Sequence, residues 1–485
     1  MALKKTIDLN HLKSKTITGI SWSIIDNVSK LLLTLVITSV LARLLKPQDF
    51  GLIAMIFVFT GFLKILRDFG LGAAIIHKSN PSSKELDSLF WVSIFIGVFV
   101  TLILIIFSSQ IASFYNIPQL NKLIQAISIA MFLGSVSIVP EALIKKDLNF
   151  KSLFIRNIGN LIISGGVTIL MAFTGYGVWS LIAKEIIFNF LLIIFNFSLV
   201  KWRPSFSFSF NSIKTYLNFS LPLFGENSLN YLVRNIDNLL IGKLLGEFVL
   251  GYYSKAYSLM LLPVRQISGS IANVMFPSFS IIKNDKPKVW VSYMNVVKIV
   301  LFVNFPLMIS LYFFAHEIVL ILFGSQWLDV IPIIKALCFL GSIQSIGTLA
   351  GSIYNSQGKT NLQFKVGLLS KAFMTTGLVY GLLYGGIFSM IKYYTITSSI
   401  AFFLELYFVT KILNKSILSF FQVLKKELLV TSIYLILMII LFLIVDTNDI
   451  LIKISIQLAT LTIFVLLSIK SDLLGIQMIK KYLKL

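Results

Sequence analysis

The chain has few of the residues that build disulfide frameworks, zinc centres and charged protein surfaces. Its 485 residues include one cysteine, Cys338, and three histidines, His11, His77 and His316. A single thiol excludes an internal disulfide framework, and three scattered histidines exclude a clustered zinc site. Charged residues make up 13% of the chain, whereas a soluble domain carries about 25%. This composition indicates a polytopic membrane protein.

Acidic residues are especially scarce. The chain has 20 Asp and Glu against 42 Lys and Arg, which gives a net charge of +22. On a soluble protein this balance would suggest nucleic-acid binding. In a membrane protein, surplus Lys and Arg belong to cytoplasmic loops, so we expect no nucleic-acid partner. The acids also occur singly, without an external Asp or Glu pair for glycosyl transfer. The GKT at 358–360 is not a P-loop end, because Ile353 stands where its first glycine is needed.

Apolar residues are abundant, at 57% of the chain with a mean hydropathy of +0.89. A membrane-spanning helix needs about 20 mostly apolar residues. On this basis the sequence predicts an all-α polytopic fold with fourteen transmembrane helices. The predicted spans are 16–44, 51–76, 88–107, 120–140, 153–174, 178–200, 216–245, 248–277, 292–314, 329–354, 362–382, 386–410, 428–445 and 450–469.

Alternate loops between these spans differ in their content of Lys and Arg. The poor set offers little beyond Lys46, Lys122 and Lys243. Since Lys and Arg are retained on the cytoplasmic side, we expect both termini to be cytoplasmic and the protein to lie in the bacterial inner membrane. The rich loops contain Lys78, Lys84, Lys145, Lys146, Lys151, Lys201, Arg203, Lys214, Lys283, Lys286, Lys288, Lys359, Lys365, Lys411, Lys415, Lys425 and Lys426.

The sequence repeats itself at an offset of 200, with RLLKPQDFG at 43–51 and KLLGEFVLG at 243–251. Asp26-Asn27 matches Glu226-Asn227, and LNFK at 148–151 and GVWSL at 177–181 match LQFK and GIFSM later in the chain. Six crossings return a chain to its starting side, so these matches predict two six-helix lobes in the same orientation. Such parallel repeats are typical of transporters that bind their ligand between the repeats and work by alternating access.

The predicted domains follow from this repeat. We expect one lobe at 1–205, a second at 206–415, and two additional helices with a cytoplasmic tail at 416–485. Residues 428–445 carry no charge and residues 450–469 only Lys453. We therefore expect the two additional helices to pack outside the lobes, without contributing to a polar cavity.

Two predicted helices carry a polar stripe. In the seventh span Glu226, Asn227, Asn230, Arg234, Asp237 and Asn238 fall within an arc of about 120°. The first span repeats the pattern with Gly19, Ser23, Asp26, Asn27, Lys30, Thr34 and Thr38. Because a charge at the bilayer centre costs roughly 2.5–3.5 kcal/mol, both stripes must face protein or water. Local ion pairs, Asp26 with Lys30 and Arg234 with Asp237, are one interpretation.

A water-filled cationic cavity is the other interpretation, favoured by basic residues without an acidic neighbour. These are Lys64, Lys255, Arg265, Lys298, Lys335 and Lys371, and also Arg67, because Asp68 points about 100° away from it. For Arg156 and Lys371, near cytoplasmic span ends, snorkelling is the expected explanation. A basic cavity suits phosphate or pyrophosphate. The predicted cavity residues are Lys30, Lys64, Arg67, Arg234, Lys255 and Arg265, with Asp26, Glu226 and Asp237 for charge balance or coupling.

The segment 235–279 contains NIDNLLIG, then GYYSKAY, then prolines at 263 and 277. It resembles the polysaccharide transport family, the Wzx-type lipid-linked oligosaccharide flippases of the multidrug/oligosaccharidyl-lipid/polysaccharide exporter superfamily. SWSIIDNVSKLLLTLVITSVLARLLKPQDFGLIAM at 21–55 is similar to the first two spans of that family. The resemblance implies a V-shaped fold with a cationic cavity lined by spans 1, 2, 7 and 8, where Lys30, Arg67, Arg234 and Arg265 lie.

The resemblance also implies a function, namely the flipping of an undecaprenyl-pyrophosphate-linked oligosaccharide from the cytoplasmic to the periplasmic leaflet. The flipped oligosaccharide would be used to build O-antigen, capsule or exopolysaccharide. The expected partners are this glycan, the lipid bilayer, and a polysaccharide polymerase with other assembly proteins. No cofactor is expected, and coupling to a proton or sodium gradient stays open.

Two other classes compete with this interpretation. A cation-coupled drug antiporter of the same superfamily would have twelve spans and an acidic or apolar cavity. A membrane glycosyltransferase or polymerase would be an enzyme with sizeable external loops, whereas the predicted external loops are as short as GYG at 175–177.

Overall fold

The computed structural model describes residues 9–147, 149–444 and 449–470. Every regular element in this described part is helical. Nine helices there are long and apolar enough to cross a membrane, or ten if the bent pair Gln119–Val136 and Ile138–Lys146 forms one span. The prediction of an all-helical polytopic membrane protein is confirmed. The predicted tail and both chain ends lie outside the described residues.

Two compact units divide the chain after Gly251. The predicted lobe boundary at 205 is a different division, because the first unit also holds residues 210–251; the lobes stay a prediction. The helices of the first unit are α1 (Leu9–Leu44), α2 (Pro47–Asp68), α3 (Leu71–His77), α4 (Ser83–Tyr115), α5 (Gln119–Val136), α6 (Ile138–Lys146), α7 (Phe150–Phe173), α8 (Val178–Leu199) and most of α9 (Phe210–Pro263).

Helices extend beyond the apolar segments that predict them, as α4 shows. The apolar segment is 88–107, but α4 covers Ser83–Tyr115. At its start the Ser82 hydroxyl accepts a hydrogen bond from the Glu85 N–H at 3.3 Å, and the Glu85 carboxylate accepts one from the Ser82 N–H at 2.9 Å. This capping box satisfies two backbone donors that the helix itself cannot. Hydropathy locates the bilayer core, whereas caps decide where helices end.

The outer faces of the helices are apolar. On α4, Phe95 is 73% exposed and Ile106 is 63% exposed, although neither residue is polar. A soluble monomer rarely exposes a continuous apolar surface of this kind. The faces are instead suited to contact with lipid chains.

The helix α9 is bent back on itself at Gly246. Gly246 has φ 83° and ψ −179°, outside the helical range, and joins two helical limbs. A Cβ added at Gly242 would lie 3.2 Å from the Leu250 side chain, so positions equally far from Gly246 face each other. Left-handed φ favours glycine, which has no Cβ to clash with the backbone. The two limbs correspond to the predicted spans 216–245 and 248–277, the second of which continues beyond α9.

The two copies of the repeated phrase contact each other within the first unit. A Cβ added at Gly51 would collide with the Glu247 carbonyl, and one added at Gly251 would collide with the Pro47 carbonyl. Gln48 Nε2 also donates a hydrogen bond to Glu247 Oε1 at 2.9 Å. We call this the reciprocal glycine contact, because each copy places its glycine on the backbone of the other. Glycine is needed at both positions for the helices to approach this closely.

The second unit begins at Tyr252 with the end of α9 and a π-helical turn, Val264–Gly269. A 3₁₀ turn, Ser325–Val330, lies between α12 and α13. The helices that follow α9 are α10 (Ser270–Ile281), α11 (Lys286–Phe313), α12 (Ala315–Leu322), α13 (Ile331–Gly347), α14 (Ala350–Ser356), α15 (Thr360–Ile412), α16 (Ile417–Val423), α17 (Lys425–Ile444) and α18 (Ile450–Lys470).

Two ion pairs connect the last two helices to earlier helices of the second unit. Lys298 of α11 binds Glu427 of α17 at 2.9 Å, and Lys453 of α18 binds Glu317 of α12 at 2.8 Å. Both glutamates are buried. The prediction that Lys298 has no acidic neighbour is therefore wrong, because its partner comes from a helix that is distant in sequence. The position of α17 and α18 outside the predicted lobes stays a prediction.

Candidate functional site

A polar cavity of about 630 Å³ opens among four helices of the first unit. The helix α1 packs along α7, and α8 packs along α7 on another side. The helix α6, which makes an angle of 43° with α5, contributes Glu141 and Lys145 to the lining. The polar or charged residues lining the cavity are Ser23, Asp26, Lys30, Thr34, Glu141, Lys145, Arg156 and Asn157.

The stripe of α1 forms one wall of this cavity. Asp26 and Lys30 lie one helical turn apart and form an ion pair of 2.7 Å. Asn157 Nδ2 of α7 donates to both carboxylate oxygens of Asp26 at 3.1 Å. Asp26 is buried, whereas the Lys30 side chain is 39% exposed. The local ion pair that the spacing offered is thus present, with α7 supplying a further donor for the same carboxylate.

The buried arginine of α7 connects the other walls. Arg156 Nη1 donates to Asn196 Oδ1 of α8 at 2.6 Å, and Arg156 Nη2 donates to Asn157 Oδ1 at 2.8 Å. Arg156 Nη1 also lies 3.6 Å from a carboxylate oxygen of Glu141, whose other oxygen binds Lys145 at 2.7 Å. Arg156 therefore does not snorkel, and the expected explanation for it is wrong. Its five donors are held between three helices.

The cavity lining carries charges of both signs with cations in excess. Asp26 and Glu141 supply two carboxylates, and Lys30, Lys145 and Arg156 supply three cations. Lys64 of α2 lies within electrostatic range of Glu141 as well. A partly paired, cationic interior of this kind can receive an anion, since each cation gains from an additional negative partner.

Arg67 is buried elsewhere in the first unit. Its Nε and Nη2 donate to Asp68 Oδ1 at 2.9 and 2.7 Å, so the two side chains meet despite their angular separation on α2. A Cβ added at Gly134 of α5 would collide with the Arg67 guanidinium. The helix α5 thus packs closely on this arginine. The expectation that Asp68 points away from Arg67 is wrong, because a long flexible side chain can cover that angle.

The structure does not gather all the predicted site residues. In the first unit Lys64, Glu226 and Arg234 are exposed, while Asp237 is buried and accepts a hydrogen bond from the Asn238 N–H at 2.8 Å. In the second unit Lys255 is half-buried on α9, and Arg265 is exposed in the π-helical turn. Only Asp26 and Lys30 among the predicted residues line the cavity of the first unit.

Five residues of this cavity network were not predicted as site residues, namely Glu141, Lys145, Arg156, Asn157 and Asn196. They come from α6, α7 and α8, which carry no long polar stripe. Adjacent Arg156 and Asn157 within an apolar segment were the available signal. Intramembrane charges of this kind deserve a functional hypothesis even when they are isolated in sequence.

The geometry describes a helical membrane protein with a charged interior, and comparison with known proteins identifies its family. Residues 40–332 match the family described as polysaccharide biosynthesis protein. Because this match covers more than half of the chain, the protein belongs to that family. The resemblance inferred from the sequence is thereby confirmed.

Curated relatives resemble the chain over most of its length. The lipopolysaccharide biosynthesis protein WzxC of Escherichia coli (strain K12) is 28% identical over 379 residues, which cover 76% of each chain. The teichuronic acid biosynthesis protein TuaB of Bacillus subtilis (strain 168) is 25% identical, covering 87% of this chain and 88% of TuaB. The succinoglycan biosynthesis transport protein ExoT of Rhizobium meliloti (strain 1021) is 24% identical, covering 78% and 76%.

Solved structures share the fold at low sequence identity. The lipid II flippase MurJ in an inward closed conformation has a TM-score of 0.72 at 18% identity, covering 93% of this chain and 98% of its own. An inward-facing multidrug resistance transporter of the MATE family has a TM-score of 0.60 at 14% identity, covering 79% and 95%. The chain therefore shares the fold of these two proteins.

Proposed function

We propose that this protein is a flippase that translocates an undecaprenyl-pyrophosphate-linked oligosaccharide for the biosynthesis of a surface polysaccharide. The observation that carries the proposal is its membership of the polysaccharide biosynthesis protein family. Support comes from three relatives, each named for the biosynthesis of a different polysaccharide. One of these relatives, ExoT, is named a transport protein. A fold shared with a lipid II flippase also fits a lipid-linked cargo.

The proposal includes an architecture of fourteen transmembrane helices in two six-helix lobes with two additional helices. Both termini are cytoplasmic, and the cargo moves from the cytoplasmic to the periplasmic leaflet by alternating access. The basic loops at 77–87, 141–152, 201–215, 278–291 and 411–427 support this orientation, since Lys and Arg are retained on the cytoplasmic side.

The pyrophosphate is assigned to cationic side chains, and the exposed Arg234 and Arg265 are the strongest candidates. A guanidinium binds phosphate oxygens through two parallel hydrogen bonds, which an ammonium cannot reproduce. Asp26, Glu226 and Asp237 balance this charge or couple transport to a proton or sodium gradient. The glycan passes to a polymerase and other assembly proteins after it reaches the periplasmic leaflet.

Glycan export in the native host tests the function. Deleting the gene should remove the surface polysaccharide and leave the lipid-linked oligosaccharide in the cytoplasmic leaflet, and a plasmid copy should reverse both effects. Unchanged glycan export after deletion, together with lost efflux of a cationic drug, would contradict the proposal in favour of an antiporter.

Variants of the two arginines test the cationic site. Arg234→Ala and Arg265→Ala should reduce export at normal membrane abundance, because loss of one charged partner costs about 2–5 kcal/mol, or at least tenfold in affinity. Lys variants should restore part of the activity, since they keep the charge. Ala variants that export normally, or that fail only because the protein disappears, would show that these arginines do not bind the cargo.

Single-cysteine labelling tests the orientation, on a background in which Cys338, the sole cysteine, is replaced by Ser. A cysteine at position 284 should be reached by a membrane-impermeant reagent only after the membrane is opened. Labelling of that position from the periplasm would refute the fourteen-helix topology.

A further inference from the structure

A groove of about 400 Å³ lies in the second unit, far along the chain from the cavity described above. Its polar lining consists of Lys286, Lys359, Lys411 and Gln357. Its apolar lining consists of Leu362, Phe408 and Ile412. Each lysine comes from a different basic segment of the sequence, so the groove collects the three basic loops of this unit.

The folding of α15 explains why two of these lysines meet. The helix is broken at Gly385 and Gly386, which have non-helical backbone angles. A Cβ added at Gly377 would contact Thr397, and one added at Gly381 would contact the Ser389 carbonyl. Positions on opposite sides of the break therefore face each other, and α15 is a helical hairpin. Since Lys359 and Lys411 stand at its two ends, the hairpin brings them to the same end of the unit.

Hydrogen bonds join the third segment to this pair. Lys286 Nζ donates to Asn414 Oδ1, just beyond α15, at 3.3 Å. Gln357 Nε2 donates to the Lys283 carbonyl at 3.2 Å, which ties the turn before α15 to the segment before α11. The three lysines are thus held together by contacts among their own loops.

No carboxylate is found among the described residues that line this groove. The nearest acid in sequence is Asp285, which caps α11 by accepting from the Lys288 N–H at 3.1 Å. Its carboxylate also binds Lys288 Nζ at 2.8 Å, and this hydrogen bond lowers the pKa of Asp285. Asp285 is therefore engaged outside the groove, and the groove keeps three positive charges beside an apolar floor.

We propose that this lysine groove is a binding site for an anionic phospholipid, with the lysines on its phosphate headgroup and Leu362, Phe408 and Ile412 against its acyl chains. The ligand is a membrane lipid because the charge and the apolar floor occur side by side. Basic pockets between transmembrane helices on the cytoplasmic side bind acidic lipid headgroups elsewhere. The inference does not rest on the proposed function.

Native mass spectrometry of the full-length purified protein tests the site, with dioleoyl phosphatidylglycerol and dioleoyl phosphatidylcholine as probes. The triple variant K286Q/K359Q/K411Q removes the three charges. Near an anionic lipid each lysine adds about fivefold to affinity, so the triple variant should bind phosphatidylglycerol on the order of a hundredfold more weakly. Binding of phosphatidylcholine should be weak and unchanged.

A matched control separates the groove from general positive charge. The variant K84Q/K201Q/K214Q removes three exposed lysines of the first unit that belong to the same predicted cytoplasmic set. It should retain phosphatidylglycerol binding within about threefold, a change too small for a lost headgroup contact. The variant K286R/K359R/K411R should also retain binding, which shows that a folded groove needs its charge.

Three outcomes would overturn the inference. Equal loss in the groove variant and the control would make the effect one of net charge. Full binding by the groove variant would place the lipid elsewhere. Displacement of phosphatidylglycerol by an equal concentration of inorganic phosphate would show that the groove binds phosphate alone and gains no affinity from the acyl chains.

Discussion

The polar stripes of α1 and α9 follow the same sequence pattern but have different surroundings in the first unit. On α1, Asp26 is buried and bound by Lys30 and by Asn157 of α7. On α9, the matching acid Glu226 is exposed, and so is Arg234. The pattern shows that a helix has a polar face, whereas the neighbouring helix decides whether that face is engaged or open.

The difference suggests a division of labour between the stripes. Charges that are paired inside a unit contribute mainly to stability, since breaking a buried pair leaves an uncompensated charge. Exposed charges contribute little to stability and are available to a ligand. Variants in the two regions should therefore separate effects on folding from effects on transport.

The largest effect on stability is expected from Arg156→Ala beside the α1 stripe. It removes the donors for Asn157 and Asn196 and the ion pair with Glu141, and it should cost about 3 kcal/mol of unfolding free energy. Membrane abundance and the melting temperature of the purified protein should both fall. Lys122→Ala, at an exposed position, is the control. Wild-type melting of Arg156→Ala would show that the cavity network is not structural.

The reciprocal glycine contact should give the next largest effect. Gly51→Ala and Gly251→Ala each place a methyl group against a carbonyl of the other copy, which should cost about 1–3 kcal/mol. Gly166→Ala on α7 is the matched control, because a Cβ there meets no atom within 4 Å. The control should equal or exceed wild-type stability, since alanine favours helices. Equal melting temperatures for all three variants would contradict the close approach.

Asp26→Asn should have a smaller effect of about 1 kcal/mol. The variant keeps an acceptor for Asn157 Nδ2 but loses the ion pair with Lys30, whose side chain is 39% exposed. A double-mutant cycle with Lys30→Gln measures the pair directly, and its coupling energy should stay below about 1 kcal/mol. A coupling energy of several kcal/mol would mean that the pair is shielded from solvent.

Glu226→Gln should have the smallest effect on folding, within about 0.5 kcal/mol, because Glu226 is exposed. Export measured across a range of external pH and sodium concentrations then isolates its role. Reduced export with an unchanged melting temperature would support coupling at α9. A marked loss of stability would instead show that the α9 stripe is engaged like that of α1.

The sequence was most informative where a property depends on neighbours along the chain. Apolar length predicted an all-helical membrane protein, and the i, i+4 spacing predicted the Asp26–Lys30 ion pair that the structure contains. It was least informative about partners from distant segments. The sequence predicted that Lys298 lacks an acidic neighbour and that Arg156 snorkels. Both predictions were wrong because the partners, Glu427 and Asn196, lie on helices that are distant in the sequence.

The sequence by itself determined that the chain is a helical membrane protein and which family it belongs to. These properties follow from hydropathy, periodicity and short motifs, which are local. Only the tertiary structure decided that Gly51 and Gly251 each lie on the backbone of the other copy, and that Lys286, Lys359 and Lys411 share one groove. Helix packing brings residues together through shape and close approach, and no spacing within a single helix encodes which neighbour will be met.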